Sequence, residues 1–372
     1  MSNSATDFGE WPLRRLLSAV VGSGPKSAED MTREQAREVF ARILAGEPDP
    51  TTLGAFWLAN RWKRNTPEEL AAYVDVMREE SVETAVPDAD PVDCGANYDG
   101  KTETALLGVA AGLVAAAAGT PVVVHSGDRV PTLGGDAYRH VLDALDVETD
   151  LSPAESAAMV DDVGFGYYDQ AAANPGVAAL CDRREQMGVR TFVNTIETLA
   201  NPADAAVHLG SFYHLSFAVR IIETLRNAET QPVGRVLMFQ GLEGYDDVRP
   251  GSTVVAEWGS LRDSGPASEA ETDPADGEAA VTDFEIETAE YGMDFESEDL
   301  EVDDVAADSA AITEAVLAGE RDDAFADAVA LNAALRMYAR EDVPDLAAGL
   351  ARARETIDGG AAAAALDALR AR

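Results

Sequence analysis

The apolar and polar positions of residues 91 to 146 form blocks that predict a strand–helix–strand–helix unit. A short apolar entry ends at Cys94, and a second apolar run covers residues 121 to 124. Small residues at 105 to 118 predict a helix between the two strands, and an amphipathic pattern at about 136 to 145 predicts the next helix. This order is typical of a parallel sheet, in which ligands bind at the carboxyl ends of the strands.

Two polar turns follow the two predicted strands, at residues 95 to 102 and 125 to 129. The first turn opens a helix, so its free N–H groups and the helix dipole suit a phosphate. Lys101 lies in this turn, and His125 and Arg129 lie in the second. The first turn is neither a Walker A loop nor a GxGxxG fingerprint, and its Gly, Asn and Asp residues are also ordinary turn and cap chemistry. A phosphate site and a plain connection therefore stay open as alternatives.

Helical periodicity dominates both ends of the chain. Patterns at 32 to 44, 51 to 61 and 66 to 80 predict an all-helical region in the first 85 residues. Further helices are predicted at 151 to 163, 215 to 227, 322 to 339 and 345 to 357, and strands at 164 to 168, 235 to 240 and 253 to 258. Strands that alternate with helices, behind a helical region, predict an α/β protein with a separate helical part.

The composition indicates a protein adapted to concentrated salt. The 372 residues include 68 acids and 28 basic residues, for a formal net charge of −40, and three of the basic residues are lysines. Such a surface stays hydrated at high ionic strength, where the Debye length falls to about 3 Å at 1 M salt. We therefore predict a halophilic protein. The negative charge also argues against a broad electrostatic grip on nucleic acid.

The acids are densest at residues 268 to 309, which contain seventeen acidic and no basic residues. We predict a solvated, partly disordered acidic insertion with one strand at 284 to 288. Cys94 and Cys181 are too few for a zinc site. The chain shows no secretory signal pattern and no run of the ~18 to 20 apolar residues that a membrane span needs, so we expect a cytoplasmic protein without a membrane partner.

Several segments, in order, resemble one known family. MGVRTFVNTIETLANP at 187 to 202 is similar to the LGxRTxFNxLGPLxNP segment of the anthranilate phosphoribosyltransferases, which share a glycosyltransferase family with the pyrimidine nucleoside phosphorylases. Residues 44 to 77 resemble the family's amino-terminal helices, GLEGYDDV at 241 to 248 its metal loop, and the region after 315 its last helices. The resemblance covers about residues 30 to 372, except the acidic insertion.

The resemblance implies an α/β fold in which a small all-helical domain accompanies a large α/β domain with a central, mostly parallel sheet. We expect an extension at residues 1 to 30, the helical domain at 31 to 85, joined by a helix from about 195 to 215, and the α/β domain at 90 to 372. The implied assembly is a homodimer formed through the helical domain. The implied reaction is transfer of phosphoribosyl from phosphoribosyl pyrophosphate to anthranilate or a related aromatic acceptor, as in tryptophan biosynthesis, with Mg²⁺.

The resemblance also implies a set of site residues, with no catalytic residue assigned. The expected substrate-binding residues are Gly95, Asp99, Gly100, Lys101, Thr102, His125, Arg129 and Arg184. Within this set Arg184 matches the arginine that meets the carboxylate of anthranilate. Lys101 and Thr102 are expected to compensate in part for phosphate contacts that the family pattern supplies elsewhere, and a Lys101 solvated at a loop is the alternative. The expected magnesium ligands are Asp246 and Asp247, with Glu243 as a third acid. An acidic turn on an acidic surface is the alternative interpretation of these three acids.

The chain departs from the family pattern in the phosphate turn. Ala96, Asn97 and Tyr98 replace a Thr-Gly-Gly sequence that allows close approach of the backbone to pyrophosphate. Residues 105 to 108 replace the family's Asn-Ile-Ser-Thr, and Val124 replaces the lysine before the histidine. These changes indicate a divergent branch. A relative that binds nucleotide or nucleic acid without transferase activity, and a phosphorolytic enzyme, remain alternative functions.

Overall fold

The computed structural model describes residues 13–24, 26–95, 98–128, 134–231, 233–245, 247–261 and 280–372. Its helices are α1 (Leu13–Val21), α2 (Arg33–Leu44), α3 (Pro50–Lys63), α4 (Pro67–Glu80), α5 (Gly108–Ala117), α6 (Tyr138–Ala144), α7 (Pro153–Val163), α8 (Gln170–Ala173), α9 (Pro175–Ala178), α10 (Cys181–Met187), α11 (Val193–Ile196), α12 (Leu215–Asn227), α13 (Val305–Leu317), α14 (Ala324–Ala339), α15 (Leu346–Asp358) and α16 (Ala361–Arg370). Its strands are β1 (Val92–Gly95), β2 (Val122–Ser126), β3 (Phe165–Asp169), β4 (Val207–Phe212), β5 (Arg235–Gln240), β6 (Ser252–Gly259) and β7 (Thr282–Glu287).

Local sequence signals begin several of these helices where the pattern predicts. At α4 the Thr66 hydroxyl accepts from the Glu69 amide at 3.2 Å, and the Glu69 carboxylate accepts from the Thr66 amide at 2.9 Å. Pro67 occupies the first turn, where its missing N–H is not needed. This reciprocal capping box marks the start of the helix in the local sequence, and the buried Glu69 carboxylate also accepts from the Met31 amide at 2.9 Å.

The described strands form one sheet in the order β3-β2-β1-β4-β5-β6-β7. β1 to β5 pair in parallel, and β6 and β7 add antiparallel strands at one edge. The predicted mostly parallel sheet is confirmed, and the adjacent pairing of β1 with β2 confirms the strand–helix–strand unit. The carboxyl ends of β1, β2, β4 and β5 therefore meet at one edge of the sheet, with the loops that follow them.

Apolar residues form two main cores, and the core of the helical region extends onto the sheet through Val236 and Met238 of β5 and Ala256 of β6. The bundle core includes Phe40, Trp57, Tyr73 and Phe192, and the Tyr73 and Phe192 rings stack with centroids 4.1 Å apart. The helix α12 packs against α4 and contributes Ile221 and other apolar residues to this core. The bundle is thus completed by chain that returns from the α/β region.

Two parts of the predicted domain plan differ from the structure. The single helix expected at about 195 to 215 is not present, because Val207–Phe212 is the interior strand β4; the start of that segment, with Ile196 and Leu199, does join the bundle core, and α12 joins it as well. The predicted extension includes α1, whose Leu13 and Leu16 are buried in the bundle core. Helical periodicity alone did not reveal either packing partner.

The acidic segment from 280 onward is folded onto the domain through its apolar residues, while its acidic side chains at 283 to 299 are exposed to solvent. The predicted strand is present as β7, which pairs with β6 along six residues. Ile286, Met293 and Leu300 are buried in the α/β core, which explains why the acids between them point outward. Residues 268 to 279 lie outside the described residues. No helix in the described ranges is long and apolar enough to cross a membrane.

Candidate functional site

A cavity of about 440 Å³ lies where the carboxyl ends of β1, β4 and β5 face the helical bundle. Phe212, Phe217, Ile221 and Met238 give it an apolar lining. Its polar lining comes from both parts of the molecule and includes Arg61 of α3, and Arg190, Thr191, Asn194, Thr195 and Thr198 of the 190–198 segment. An apolar cleft with a few converging polar groups is the usual form of a small-molecule site.

Buried polar side chains lie within β1, β2 and β4, and the His208 ring lies against Gly95 of the cavity wall. Nδ1 of His208 donates to Oδ2 of Asp93 at 2.8 Å. Nε2 of His125 lies 3.2 Å from the other Asp93 oxygen, and Nδ1 of His125 shares a hydrogen bond with the Tyr98 hydroxyl group. All four side chains are almost fully buried. They form one network that connects β1, β2 and β4.

The pKa values of Asp93 and Tyr98 are shifted in opposite directions by their surroundings. Burial raises the pKa of Asp93, but His125 and His208 outweigh it and hold that pKa well below its usual range. Burial raises the pKa of the Tyr98 phenol well above its usual value. Asp93 is therefore a carboxylate and Tyr98 a neutral phenol at every physiological pH. Tyr98 faces His125 edge-on at a ring separation of 5.5 Å, so its ring is committed to the protein interior.

Gly95 is required where β1 meets the cavity. A Cβ atom placed on Gly95 would lie 2.2 Å from the Thr198 carbonyl oxygen and 2.4 Å from Cε1 of His208. Real Cβ contacts are not that short, so only glycine fits without displacement of the backbone. Gly95, which was expected to bind substrate, lies in the cavity wall, and the close neighbours that require a glycine here are protein atoms.

Asp99 and Gly100 of the first turn contact two other segments of the α/β region. Asp99 is buried, forms an ion pair with Arg190, and accepts from Nδ2 of Asn194 at 3.2 Å. Gly100 has a φ of +75° and packs against the Asp136 carbonyl group. The first turn is thereby attached to the segment that leads into α6.

Lys101 does not reach the cavity. Its ammonium group is buried, lies 2.5 Å from Oδ2 of Asp247, and donates to the Ala105 carbonyl oxygen at 2.9 Å. The expectation that Lys101 contacts phosphate does not fit this position, because the loop after β5 supplies its counter-charge. Asp247 keeps one buried oxygen, Oδ1, without a hydrogen bond.

Glu243 connects the same two loops. It accepts from the Thr102 amide at 3.1 Å and from the Thr104 amide at 2.8 Å. Burial raises the pKa of Glu243, but these bonds and the nearby Lys101 lower it overall. The expected metal acid Glu243 and the expected phosphate residue Thr102 are therefore bonded to each other.

Arg184 is buried in an internal ion pair. Its two terminal nitrogens donate to the two carboxylate oxygens of Glu197 at 2.7 and 2.6 Å. Gln170 adds a third donor to Glu197 at 2.9 Å. Both charged side chains are 1% exposed. In this structure the guanidinium that was expected to bind anthranilate is engaged by a carboxylate of the same chain.

The structure brings most of the predicted site residues to one sheet edge but joins many of them to each other. Arg129 and Asp246 lie outside the described residues. Sequence reasoning missed Asp93, His208 and Glu197. The available signal was a charged or polar residue inside an apolar strand, as at Asp93 between Val92 and Cys94.

Comparison with known proteins identifies the family. Residues 94–363 match the model described as "Glycosyl transferase family, a/b domain", and residues 16–81 match its helical bundle domain. An anthranilate phosphoribosyltransferase of Alkalilimnicola ehrlichii is 31% identical over 91% of this chain and 94% of the relative. This chain is a member of the anthranilate phosphoribosyltransferase family of glycosyl transferases. The sequence-based family prediction is therefore confirmed.

Other family members agree in sequence and fold. An anthranilate phosphoribosyltransferase of Natronomonas pharaonis is 29% identical over 92% of this chain and 96% of the relative. The crystal structure of the Thermus thermophilus enzyme has a TM-score of 0.76 at 27% identity, covering 95% of this chain and 97% of that one. The Saccharomyces cerevisiae enzyme "in complex with PRPP and Mg" has a TM-score of 0.78 at 17% identity, covering 96% of each chain, which shows the common fold.

Proposed function

We propose that this chain transfers a phosphoribosyl group from phosphoribosyl pyrophosphate to anthranilate or a related aromatic acceptor. The observation that carries the proposal is the cavity between the bundle and the carboxyl ends of β1, β4 and β5, in a chain whose full-length relatives are named for this reaction. Apolar residues of the cavity suit the flat ring of the acceptor. The reaction needs that ring held close to the ribosyl carbon, and a rigid cleft between two packed parts provides such positioning.

The residues of the loop after β5 fit a magnesium ion in part. Carboxylate oxygens are ligands that Mg²⁺ prefers, and Oδ1 of Asp247 is buried without a hydrogen bond. Glu243 is saturated by Thr102 and Thr104, so it would orient the loop rather than bind the ion. In the described part of the chain, no three acidic, histidine or cysteine side chains form a ready metal cluster.

A site with few protein ligands still suits magnesium, which usually keeps several waters and binds substrate phosphates. When bound, the ion would neutralise the charge that develops on the departing pyrophosphate. The part of the protein is to hold Asp247 in place, which Lys101 and the Leu107 amide do.

The proposed reaction is tested by following the loss of anthranilate fluorescence with phosphoribosyl pyrophosphate and MgCl₂ in concentrated KCl. We expect turnover that stops when EDTA removes magnesium. Calorimetry of phosphoribosyl pyrophosphate binding separates binding from chemistry. The absence of both turnover and binding would contradict the proposal and favour a family member that retains the fold for another ligand.

The role of the loop is tested with Asp247→Asn, which keeps an oxygen to face Lys101 but lowers the negative charge offered to the metal. We expect the affinity for phosphoribosyl pyrophosphate in the presence of magnesium to fall by at least tenfold. Asp283→Asn, at an exposed position of β7, removes the same charge from the surface and is the matched control. Equal effects of the two substitutions would exclude a metal role for Asp247.

We also propose that the protein is a cytoplasmic homodimer that associates through the helical bundle. Trp62 and Leu58 lie four residues apart on α3 and are 74% and 49% exposed, which is unusual for large apolar side chains. Charged substitutions Leu58→Glu and Trp62→Glu should produce monomers in analytical ultracentrifugation at high salt. A monomeric wild-type protein would contradict the proposed assembly.

A further inference from the structure

The two terminal nitrogens of Arg184 that could bind a ligand carboxylate are already occupied by Glu197. A bidentate pair with both terminal nitrogens is the arrangement that a bound carboxylate ligand would make, and Glu197 makes it at 2.6 and 2.7 Å. Gln170 holds the Glu197 carboxylate from the other side at 2.9 Å. A ligand carboxylate would have to displace Glu197 and leave that charge buried, which is strongly unfavourable.

The sequence of the 187–202 segment agrees with this structural role. The family segment that it resembles carries Gly-Pro where this chain has Glu197 and Thr198. A residue without a side chain cannot supply a counter-charge. Here the counter-charge is supplied by the chain itself, so the guanidinium of Arg184 is neutralised before any ligand arrives.

Arg61 differs from Arg184 in its exposure and, among the described residues, in the absence of an ion pair. It projects from α3 of the bundle into the wall of the cavity and is exposed. Within the part of the chain that the structure describes, it has no carboxylate within ion-pair distance. Arg190 also lines the cavity, but it forms an ion pair with Asp99. Burial and the positive charge of Arg61 lower the pKa of Arg190, against the raising effect of Glu197.

The apolar part of the same cavity is suited to a ring. Phe212, Phe217, Ile221 and Met238 line it, and none of them offers a polar atom that could hold a polyanion such as pyrophosphate. A flat aromatic acid placed on these side chains would need one cation at the edge of the cavity for its carboxylate. Arg61 is in the cavity wall and has no internal partner there.

We propose that Arg61, rather than Arg184, binds the carboxylate of the aromatic acceptor, and that Glu197 makes Arg184 a structural residue by occupying its guanidinium. The inference rests on the proposed function for the class of acceptor. It assigns Arg61 as a specificity-determining residue, which separates acceptors that carry a carboxylate from those that lack one.

Calorimetry with anthranilate and with aniline, which lacks the carboxylate, tests the assignment in concentrated KCl without phosphoribosyl pyrophosphate. Arg61→Gln should weaken the binding of anthranilate roughly tenfold to hundredfold, the range for a hydrogen-bonded charge, and leave aniline unchanged. Arg183→Gln, at the exposed neighbour of Arg184, is the matched control and should change neither affinity. An equal loss for both ligands, or no loss for anthranilate, would overturn the assignment.

The paired variant Arg184→Gln with Glu197→Gln tests the other half without leaving an unpaired buried charge. We expect it to keep the wild-type ratio of anthranilate to aniline affinity, with its fold checked by circular dichroism. A collapse of that ratio would show that Arg184 binds the carboxylate. If the wild-type protein binds no anthranilate, the inference fails; if it binds anthranilate through Arg61 but gives no product with phosphoribosyl pyrophosphate, only the proposed reaction fails.

Discussion

The ammonium group of Lys101 lies 2.5 Å from Oδ2 of Asp247, and both side chains are almost completely buried. These residues belong to the turn after β1 and the loop after β5, so the ion pair joins two loops from opposite sides of β4. Glu243 adds hydrogen bonds from the second loop to Thr102 and Thr104 of the first. The two loops at the site edge therefore form a single fixed unit rather than two independent arms.

Loss of this ion pair should destabilise the fold. Lys101→Met preserves most of the side-chain volume but leaves the Asp247 carboxylate buried without its cation, so the free energy of unfolding should fall by about 3 to 5 kcal/mol. The double variant Lys101→Met with Asp247→Leu should recover much of that loss. Urea unfolding followed by circular dichroism at high salt measures both, and Lys26→Met on the exposed surface is the control. A single-variant loss below about 1 kcal/mol would contradict burial of the pair.

The depressed pKa of Asp93 predicts a specific dependence of stability on pH. Because the folded-state value lies below the unfolded value of about 3.9, the contribution of Asp93 is complete above that pH and declines as the pH falls toward the folded pKa. Asp93→Asn should cost about 1.5 to 3 kcal/mol at pH 7 and at pH 5, the range for hydrogen bonds to a charged group. The difference from wild type should shrink below about pH 4.

Urea unfolding of both proteins across this range, at constant KCl, checks the prediction. A difference that stays constant or grows down to about pH 3 would mean that Asp93 is not the ionised partner of His125 and His208.

Two helical glycines should respond oppositely to the same substitution. A Cβ at Gly54 in α3 would have no heavy atom within 4 Å, so Gly54→Ala should stabilise the protein by about 0.5 to 1 kcal/mol. A Cβ at Gly112 in α5 would lie 2.7 and 2.9 Å from ring carbons of Phe165 on β3. Gly112→Ala should therefore destabilise by about 1 to 3 kcal/mol despite its helix propensity. Thermal unfolding distinguishes the signs, and two effects of the same sign would refute the packing of α5 on the sheet.

The net charge of −40 predicts that salt stabilises the fold. Mutual repulsion of the acids favours expansion, and screening tightens as the Debye length falls from about 10 Å at 0.1 M to about 3 Å at 1 M salt. The melting temperature should rise steadily from about 0.1 to 3 M KCl. Matched concentrations of a neutral osmolyte control for general exclusion effects. A melting temperature that stays level or falls with KCl would remove the basis for a halophilic protein.

The sequence by itself determined the elements whose signals are local. The helix predicted at 215 to 227 and the strand predicted at 235 to 240 have those bounds in the structure, as α12 and β5. Periodicity and caps depend on residues within about four positions of each other, so they are legible without knowledge of the fold. Spaced motifs in family order were sufficient for the family and for the parallel sheet.

The tertiary structure alone decided which charges are free. Lys101 and Asp247 are 146 positions apart, and Arg33 and Glu229 are also joined only by the fold. Glu197 gave no functional signal in the sequence, and only the fold places its carboxylate on Arg184. The sequence around a charged side chain does not show whether that side chain binds a ligand or forms an ion pair with another part of the chain. The difference arises because burial and pairing depend on neighbours that are distant along the chain and are brought together only by the tertiary fold.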